Sequence, residues 1–344
     1  GAPQTVSGCR RTANVWPSRF RDSNARSPPL RRSAGLLLGA ILLAAPLPAA
    51  PPSTIVSSPD LDALAEKVAG EALAEFGAAG LKEDGLSITM IDLTPDVNGD
   101  LPSGNFRGDA TYYSASVVKL YYLAYYAAQK ESGRLKEDAE VARAGKDMIV
   151  ESSNDATGFV VDAITGTTSG PPIESAREWQ KWKERRNAVN RYFRARGYKD
   201  ANVNQKTFCE DAYGREQLFR EGGKNRNRLT SRETARLVQE IAMLEVAGQS
   251  GTAAMLQLLH RDLSAKADPD SELEFAVSLK EYLPEGSSVW SKAGWAYDVR
   301  HLAARVALAN GADFALVVFT KGVKDEKRLI PRIFGGVAAH FRAK

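Results

Sequence analysis

From Tyr112 to Tyr126 the chain reads Tyr-Tyr-Ser-Ala-Ser-Val-Val-Lys-Leu-Tyr-Tyr-Leu-Ala-Tyr-Tyr, an almost wholly apolar run that carries a single charge, Lys119, one helical turn after Ser116. A run of this kind folds as a helix sunk in a core, and on a helix positions i and i+3 share a face. The spacing therefore sets the Lys119 amine beside the Ser116 hydroxyl. A buried ammonium without partners is costly, and desolvation lowers its pKa until the amine can take a proton from a neighbouring hydroxyl as that oxygen attacks. Such pairs also occur by chance on surface helices, so the meaning of this one depends on what the rest of the chain brings to it.

The 344 residues are enough for one large domain or two small ones. Residues 1–50 differ from the remainder. Arg31-Arg32 precedes an apolar run from Gly35 to Ala45 and then Pro46 to Ala50, which is the charged, hydrophobic and small-residue order of a secretory signal. The run is short for a bilayer span, so residues 1–50 are expected to be a leader, with a signal core at about 31–50, and the protein to be exported to a periplasmic or extracellular space. The leader holds seven Arg and one Asp, leaving 39 basic and 41 acidic residues beyond it. The basic balance thus belongs to the leader and points to no nucleic-acid partner. Cys9 falls in the leader and leaves Cys209 without a partner in the mature chain. His260, His301 and His340 are widely spaced, and no zinc-ligand pattern exists. No metal and no cofactor are expected, and no stable membrane span after processing.

In chain order, Asp60 to Phe76 has helical apolar spacing with Asp60 as a candidate N-cap, Leu86 to Leu93 alternates as a strand, and Gly104 to Tyr113 reads as a second strand entering the Ser116 helix. That junction places the serine at a helix N-terminus, where free N–H groups favour developing negative charge. A further helix begins near Glu151 to Asp155, where Ser152 and Asn154 could face a cleft or merely cap. Residues 174–198 mix Trp179, Trp182, Tyr192 and Phe193 with many cations; inward packing of the aromatics with solvated charges accounts for them. Residues 202–228 form a long polar loop holding Glu210 and Glu216, and Thr230 to Glu233 open a helix as a capping box. Three strands follow, at 288–294, 300–309 and 313–320, with Asn310-Gly311 as a hairpin turn, and then a closing helix. The segregation of strands and helices predicts an α+β domain over residues 51–344. Its antiparallel sheet of five strands is built from residues 51–115 and 285–344 and flanked by the terminal helices, with an all-helical lobe at 116–284. The cleft between the lobes is the expected site.

Three clusters now stand in order: Ser116-Val117-Val118-Lys119, Ser152-Ser153-Asn154 and Lys292-Ala293-Gly294. They resemble the S-x-x-K, S-D-N and K-T-G elements of class A β-lactamases and related penicillin-binding proteins. The resemblance covers roughly residues 60–344 and implies a β-lactamase-like fold and a serine hydrolase. It implies that Ser116 is acylated, that Lys119 is its base or proton relay and that Ser152 passes a proton to the leaving nitrogen. Asn154 would hold the substrate amide and Lys292 would supply positive charge. The oxyanion hole would be the N–H groups of Ser116 and Trp295, beside Gly294. Arg300 would bind a substrate carboxylate, or be a surface strand residue. For deacylation the resemblance calls for a loop glutamate; the family's Glu-x-x-x-Asn pattern is missing, and counting back from Thr230 gives Glu216, then Glu210. Further departures are Ser153 for the acidic residue, Ala293 for a hydroxyl residue, and a short segment between Lys119 and Ser152. The implied partner is a small β-lactam or a peptidoglycan-like substrate. A D,D-peptidase or esterase, or a non-catalytic peptidoglycan-binding relative, are the other readings.

Overall fold

The computed structural model describes residues 53–209 and 211–343. The expected leader of residues 1–50 and Glu210 lie outside the described residues. Strand β1 (Ile55–Ser57) leads to α1 (Pro59–Phe76), capped by Ser58 rather than Asp60: Ser58 Oγ accepts the Leu61 N–H, and Pro59 begins the helix, where its missing N–H costs nothing. Next come β2 (Leu86–Asp92), β3 (Leu101–Phe106), β4 (Thr111–Tyr113) and α2 (Val118–Glu131). The helical lobe continues with α3 (Ala139–Val150), α4 (Asn154–Thr165), α5 (Ala176–Arg186), α6 (Ala188–Ala195) and α7 (Gly214–Phe219). After β5 (Arg228–Thr230) it closes with α8 (Ser231–Ala242), α9 (Gln249–Leu259), β6 (His260–Arg261) and α10 (Glu272–Val277). Strands β7 (Ser288–Ala296), β8 (Val299–Ala307) and β9 (Asp313–Lys321) and helix α11 (Leu329–Ala343) complete the chain.

The α+β architecture is as expected, but the sheet is larger. Seven strands run in the order β1-β3-β2-β9-β8-β7-β6, and β4 with β5 form a separate two-stranded sheet. β1 is parallel to β3, and the other pairings are antiparallel. The two added edge strands hold three and two residues, too few for alternation to register. The strand expected at 104–113 is divided at Arg107, whose φ of 52° turns the chain out of the main sheet. At the capping box, Thr230 Oγ1 accepts the Glu233 N–H as expected, whereas the Glu233 carboxylate reaches away to the N–H groups of Lys199, Asp200 and Ala201.

Each face of the sheet has its own core. One joins α1, α10 and α11 to inward residues such as Ile88, Ala293, Leu302 and Val318; the other joins α2 and the helical lobe to Ile91, Ala303 and Val317. α1 crosses β3 so closely at Gly104 that a Cβ there would stand 2.1 Å from the Leu61 carbonyl carbon. Gly104→Ala is expected to destabilise the fold by about 1–3 kcal/mol or more, because backbone must shift on both sides. A lowered urea midpoint at unchanged m-value checks this.

Candidate active site

The Ser116 turn is set by strands on both sides. β4 is clamped to β5 in the register Tyr112↔Leu229 and Tyr113↔Arg228. Behind it the buried His301 ring donates from Nε2 to Tyr113 O at 2.8 Å, while Nδ1 accepts the Thr320 N–H at 3.1 Å. Burial pushes the His301 pKa down to about 4, so the ring is neutral with its proton on Nε2. Ala115 then adopts φ 43°, a left-handed conformation that an L-residue keeps only when its surroundings enforce it. Ser116 follows in a 3-10 turn that runs directly into α2. It is half-buried, and its hydroxyl makes no hydrogen bond among the described residues. In front lies β7: a Cβ on Gly294 would be 2.9 Å from the backbone nitrogens of both Ser116 and Val117. Glycine is required for that approach.

In α2 every residue from Val118 to Ala127 is buried, so Lys119 has no route to solvent. Its partners come from the turn between α3 and α4. Lys119 Nζ donates to Ser152 O at 2.5 Å and Asn154 Oδ1 at 2.8 Å, and lies 3.2 Å from Ser152 Oγ. Lys292 Nζ donates to the same Ser152 Oγ at 2.9 Å. Ser152 therefore bridges two amines, and it does so with φ 52°, a second left-handed residue in the site. Burial first, and the Lys292 charge second, hold the Lys119 pKa well below the ordinary lysine range, with Glu272 opposing. Ser153, found where the family pattern has an acid, caps α4 by accepting the Ala156 N–H at 3.2 Å. The Cys209 sulfur lies 3.8 Å from Asn154 Nδ2.

A residue that sequence reasoning missed completes the cluster. Glu272, in the first turn of α10, is buried and accepts from Lys292 Nζ through Oε2 and from Ala293 N at 2.6 Å through Oε1. Arg261 stands 3.6 Å from the same carboxylate. Burial lowers the Lys292 pKa, and the charge and hydrogen bond of Glu272 oppose that shift. The one available signal was Lys292 itself: a cation in a buried strand demands an anion.

Two expected residues are placed elsewhere. Glu216, in α7, is fully buried, but both oxygens face Arg186 in a bidentate pair at 2.8 Å and 2.8 Å, and Ser169 Oγ donates to Oε1 at 2.9 Å. Asp162 and Lys206 complete that network, which ties α4, α5, α7 and the loop before it. No hydrogen bond joins Glu216 to Lys119 or Ser116 among the described residues. Arg300 pairs across the strands with Trp295 and so shares the face of Ala293 and Leu302, opposite that of Lys292 and Gly294. Its guanidinium lies 3.8 Å over the Phe275 ring, and the Trp295 ring packs on the same phenyl group at 5.0 Å.

The chain is similar to known proteins in part of its sequence and in its fold. Residues 184–338, less than half of the chain, match the family described as the beta-lactamase enzyme family. A β-lactamase from Sphaerobacter thermophilus DSM 20745 has a similar structure, with 17% identity, a TM-score of 0.58, and coverage of 81% of this chain and 98% of its own. PBP-A is similar at 16% identity and TM-score 0.56, covering 85% and 99%, and a PBP-A mutant in an acyl-enzyme complex with penicillin G at 17% and 0.56, covering 81% and 97%. No curated protein matches the chain. At these identities the structural likeness is one of fold. The fold is β-lactamase-like, and the chain resembles the β-lactamase-like serine hydrolases in both sequence and structure.

Proposed function

We propose that this chain is an exported serine hydrolase that forms an acyl-enzyme on Ser116. The observation that carries the reading is the unbroken polar line from Lys119 through Ser152 to Lys292 and Glu272, with Ser116 one helical turn before Lys119 and its hydroxyl without a hydrogen bond among the described residues. Lys119, desolvated toward its neutral form, takes the Ser116 proton as Oγ bonds to the substrate carbonyl carbon. The oxyanion is met by the N–H groups of Ser116 and Trp295, on the two backbones that Gly294 allows to touch. Ser152, between the two amines, hands a proton to the leaving atom as its bond to carbon breaks. Asn154, held by Lys119 through Oδ1, donates one Nδ2 hydrogen to Cys209 Sγ and has the second for a substrate carbonyl. Export rests on the order of residues 31–50; among the described residues no helix is long and apolar enough to cross a membrane.

Deacylation is proposed to be slow. Glu216 is engaged by Arg186 and Ser169, and among the described residues no hydrogen bond joins it to Ser116 or Lys119. Among the described acids, the one whose charge bears on Lys119 is Glu272, which Lys292 and Ala293 already occupy. Penicillin-binding behaviour, with a long-lived acyl-enzyme, is therefore favoured over rapid lactam turnover. The esterase reading draws support from Ala293, which offers no hydroxyl to a carboxylate on the leaving group, such as the one a D,D-peptidase substrate carries.

A chromogenic lactam mixed rapidly with the enzyme should release a burst of one equivalent followed by much slower turnover. A fluorescent penicillin should add its mass to the wild-type chain and not to Ser116→Ala. Absence of any adduct from lactam and ester probes alike would remove the hydrolase reading and leave the peptidoglycan-binding one.

A further inference from the structure

The two ends of the cleft differ in charge. At the Ser152 end, where the leaving group departs, Lys292 is already neutralised by Glu272, residue 293 has no hydroxyl, and Arg300 lies on the far face of the sheet. Among the residues just named, none there reserves an unspent cation for a carboxylate. From Lys292, β7 passes Gly294 against Ser116 and reaches Tyr297 at the tip of the β7–β8 hairpin, where Ala296↔Val299 leaves a two-residue turn. Tyr297 stands roughly 10 Å beyond Gly294 along the strand direction, on the side away from the leaving group. That is the acyl side.

An aromatic and cationic stack occupies it. The Tyr113 and Tyr297 rings meet edge to face at 5.7 Å, and the Arg226 guanidinium lies 4.0 Å over Tyr113 and 5.0 Å from the Tyr297 centroid. Tyr113 comes from the strand that delivers Ser116, and Arg226 from the chain just before β5, the partner of that strand. Arg226 is half-buried and has no carboxylate partner among the described residues. Tyr297 is 56% exposed and holds φ 55°, a strained conformation for a bulky residue in a turn where glycine or asparagine fits more easily. A guanidinium centred over one ring and close to a second still carries five N–H donors, more than the rings and the Tyr113 hydroxyl can use, and these can meet a planar anion.

We propose that Tyr113, Arg226 and Tyr297 form an acyl-side subsite that selects a carboxylate on the acyl part of the substrate. The enzyme then prefers an anionic acyl group with a neutral leaving group over substrates whose carboxylate lies on the leaving side. This rests on the acyl-serine reading above.

The test uses two para-nitrophenyl esters with one phenylacetyl acyl group, bearing a ring carboxylate in one and a ring carboxamide in the other. In each, Ser116 Oγ bonds to the carbonyl carbon, the bond to nitrophenolate breaks, and the serine proton passes to Lys119. Burst rates, each divided by that ester's own alkaline hydrolysis rate, give a carboxylate-to-carboxamide ratio that does not depend on the folded fraction. The ratio is expected to be about tenfold or more in the wild type, to fall toward one in Arg226→Gln, and to be intermediate in Arg226→Lys, which keeps the charge but not the fork. A wild-type ratio of one while both esters label Ser116, or an undiminished ratio in Arg226→Gln, would overturn the subsite alone. Failure of both esters to label Ser116 would overturn the acyl-serine reading and the subsite with it.

Discussion

Replacement of Lys119 by methionine is expected to slow acylation of Ser116 by about 10²- to 10⁴-fold, the span that a positioned general base contributes. Methionine matches the stem of lysine in a helix stretch that is buried throughout, so packing is largely kept while the amine is removed. The pH profile distinguishes a base from a mere anchor. Because burial and the Lys292 charge hold the Lys119 pKa well below its ordinary value, the amine is protonated and inactive only on the acid side of that lowered pKa. The wild-type acylation rate should therefore rise with pH through the lowered value and be level across the ordinary lysine range, and Lys119→Met should lack that rise. Rapid-mixing acylation rates over pH read both effects. A wild-type rate still climbing through the ordinary lysine range would contradict a desolvated base. Stability is linked in the same direction: between the lowered pKa and the ordinary one, the unfolded chain binds a proton that folded Lys119 has shed, so stability contributed at this residue rises with pH over that window.

The second large effect is expected from Glu216→Ala, which should cost about 3–5 kcal/mol of folding stability, as removal of one partner from a buried ion pair does. Arg186 has no exposed surface and would be left with Asp162, which is itself 24% exposed at the side chain. Glu216→Gln, which keeps hydrogen-bonding capacity but not charge, should fall between. Urea unfolding measures the loss, and decay of the labelled Ser116 adduct in the folded fraction measures deacylation. If Glu216 instead activated the hydrolytic water, Glu216→Gln would prolong the adduct strongly while leaving stability nearly intact.

The sequence made the centre of this site readable because the signals there are local or chemically compelled. A lone lysine in an apolar helix has to be buried and has to have partners, and Ser152 and Asn154 supply them through Ser152 O, Ser152 Oγ and Asn154 Oδ1. What failed was whatever depends on which side of an element a residue lies. The resemblance points to Arg300 as a carboxylate-binding residue, yet the two-residue turn at Tyr297-Asp298 fixes a register that puts it on the face opposite Lys292. Glu216 was chosen by distance along the chain from Thr230, and distance says nothing of Arg186, thirty residues away in a different helix. Glu272 lies in a helix of six residues, too short to show a period. In β3, Pro102, Gly104 and Asn105 weaken the strand pattern, so the strand was read from its C-terminal end onward and merged with β4.

The burial of α2 on every side bears on how a protein of this kind can change its specificity. A helix buried on all sides over its first ten residues offers few positions there where a substitution alters reactivity without also disturbing the packing of the core. New preferences must come from segments that reach the serine without supporting it: the hairpin tip at Tyr297, the chain around Arg226, the stretch at Cys209. Such a division lets the periphery drift toward new substrates at small structural risk while the reaction itself is inherited unchanged.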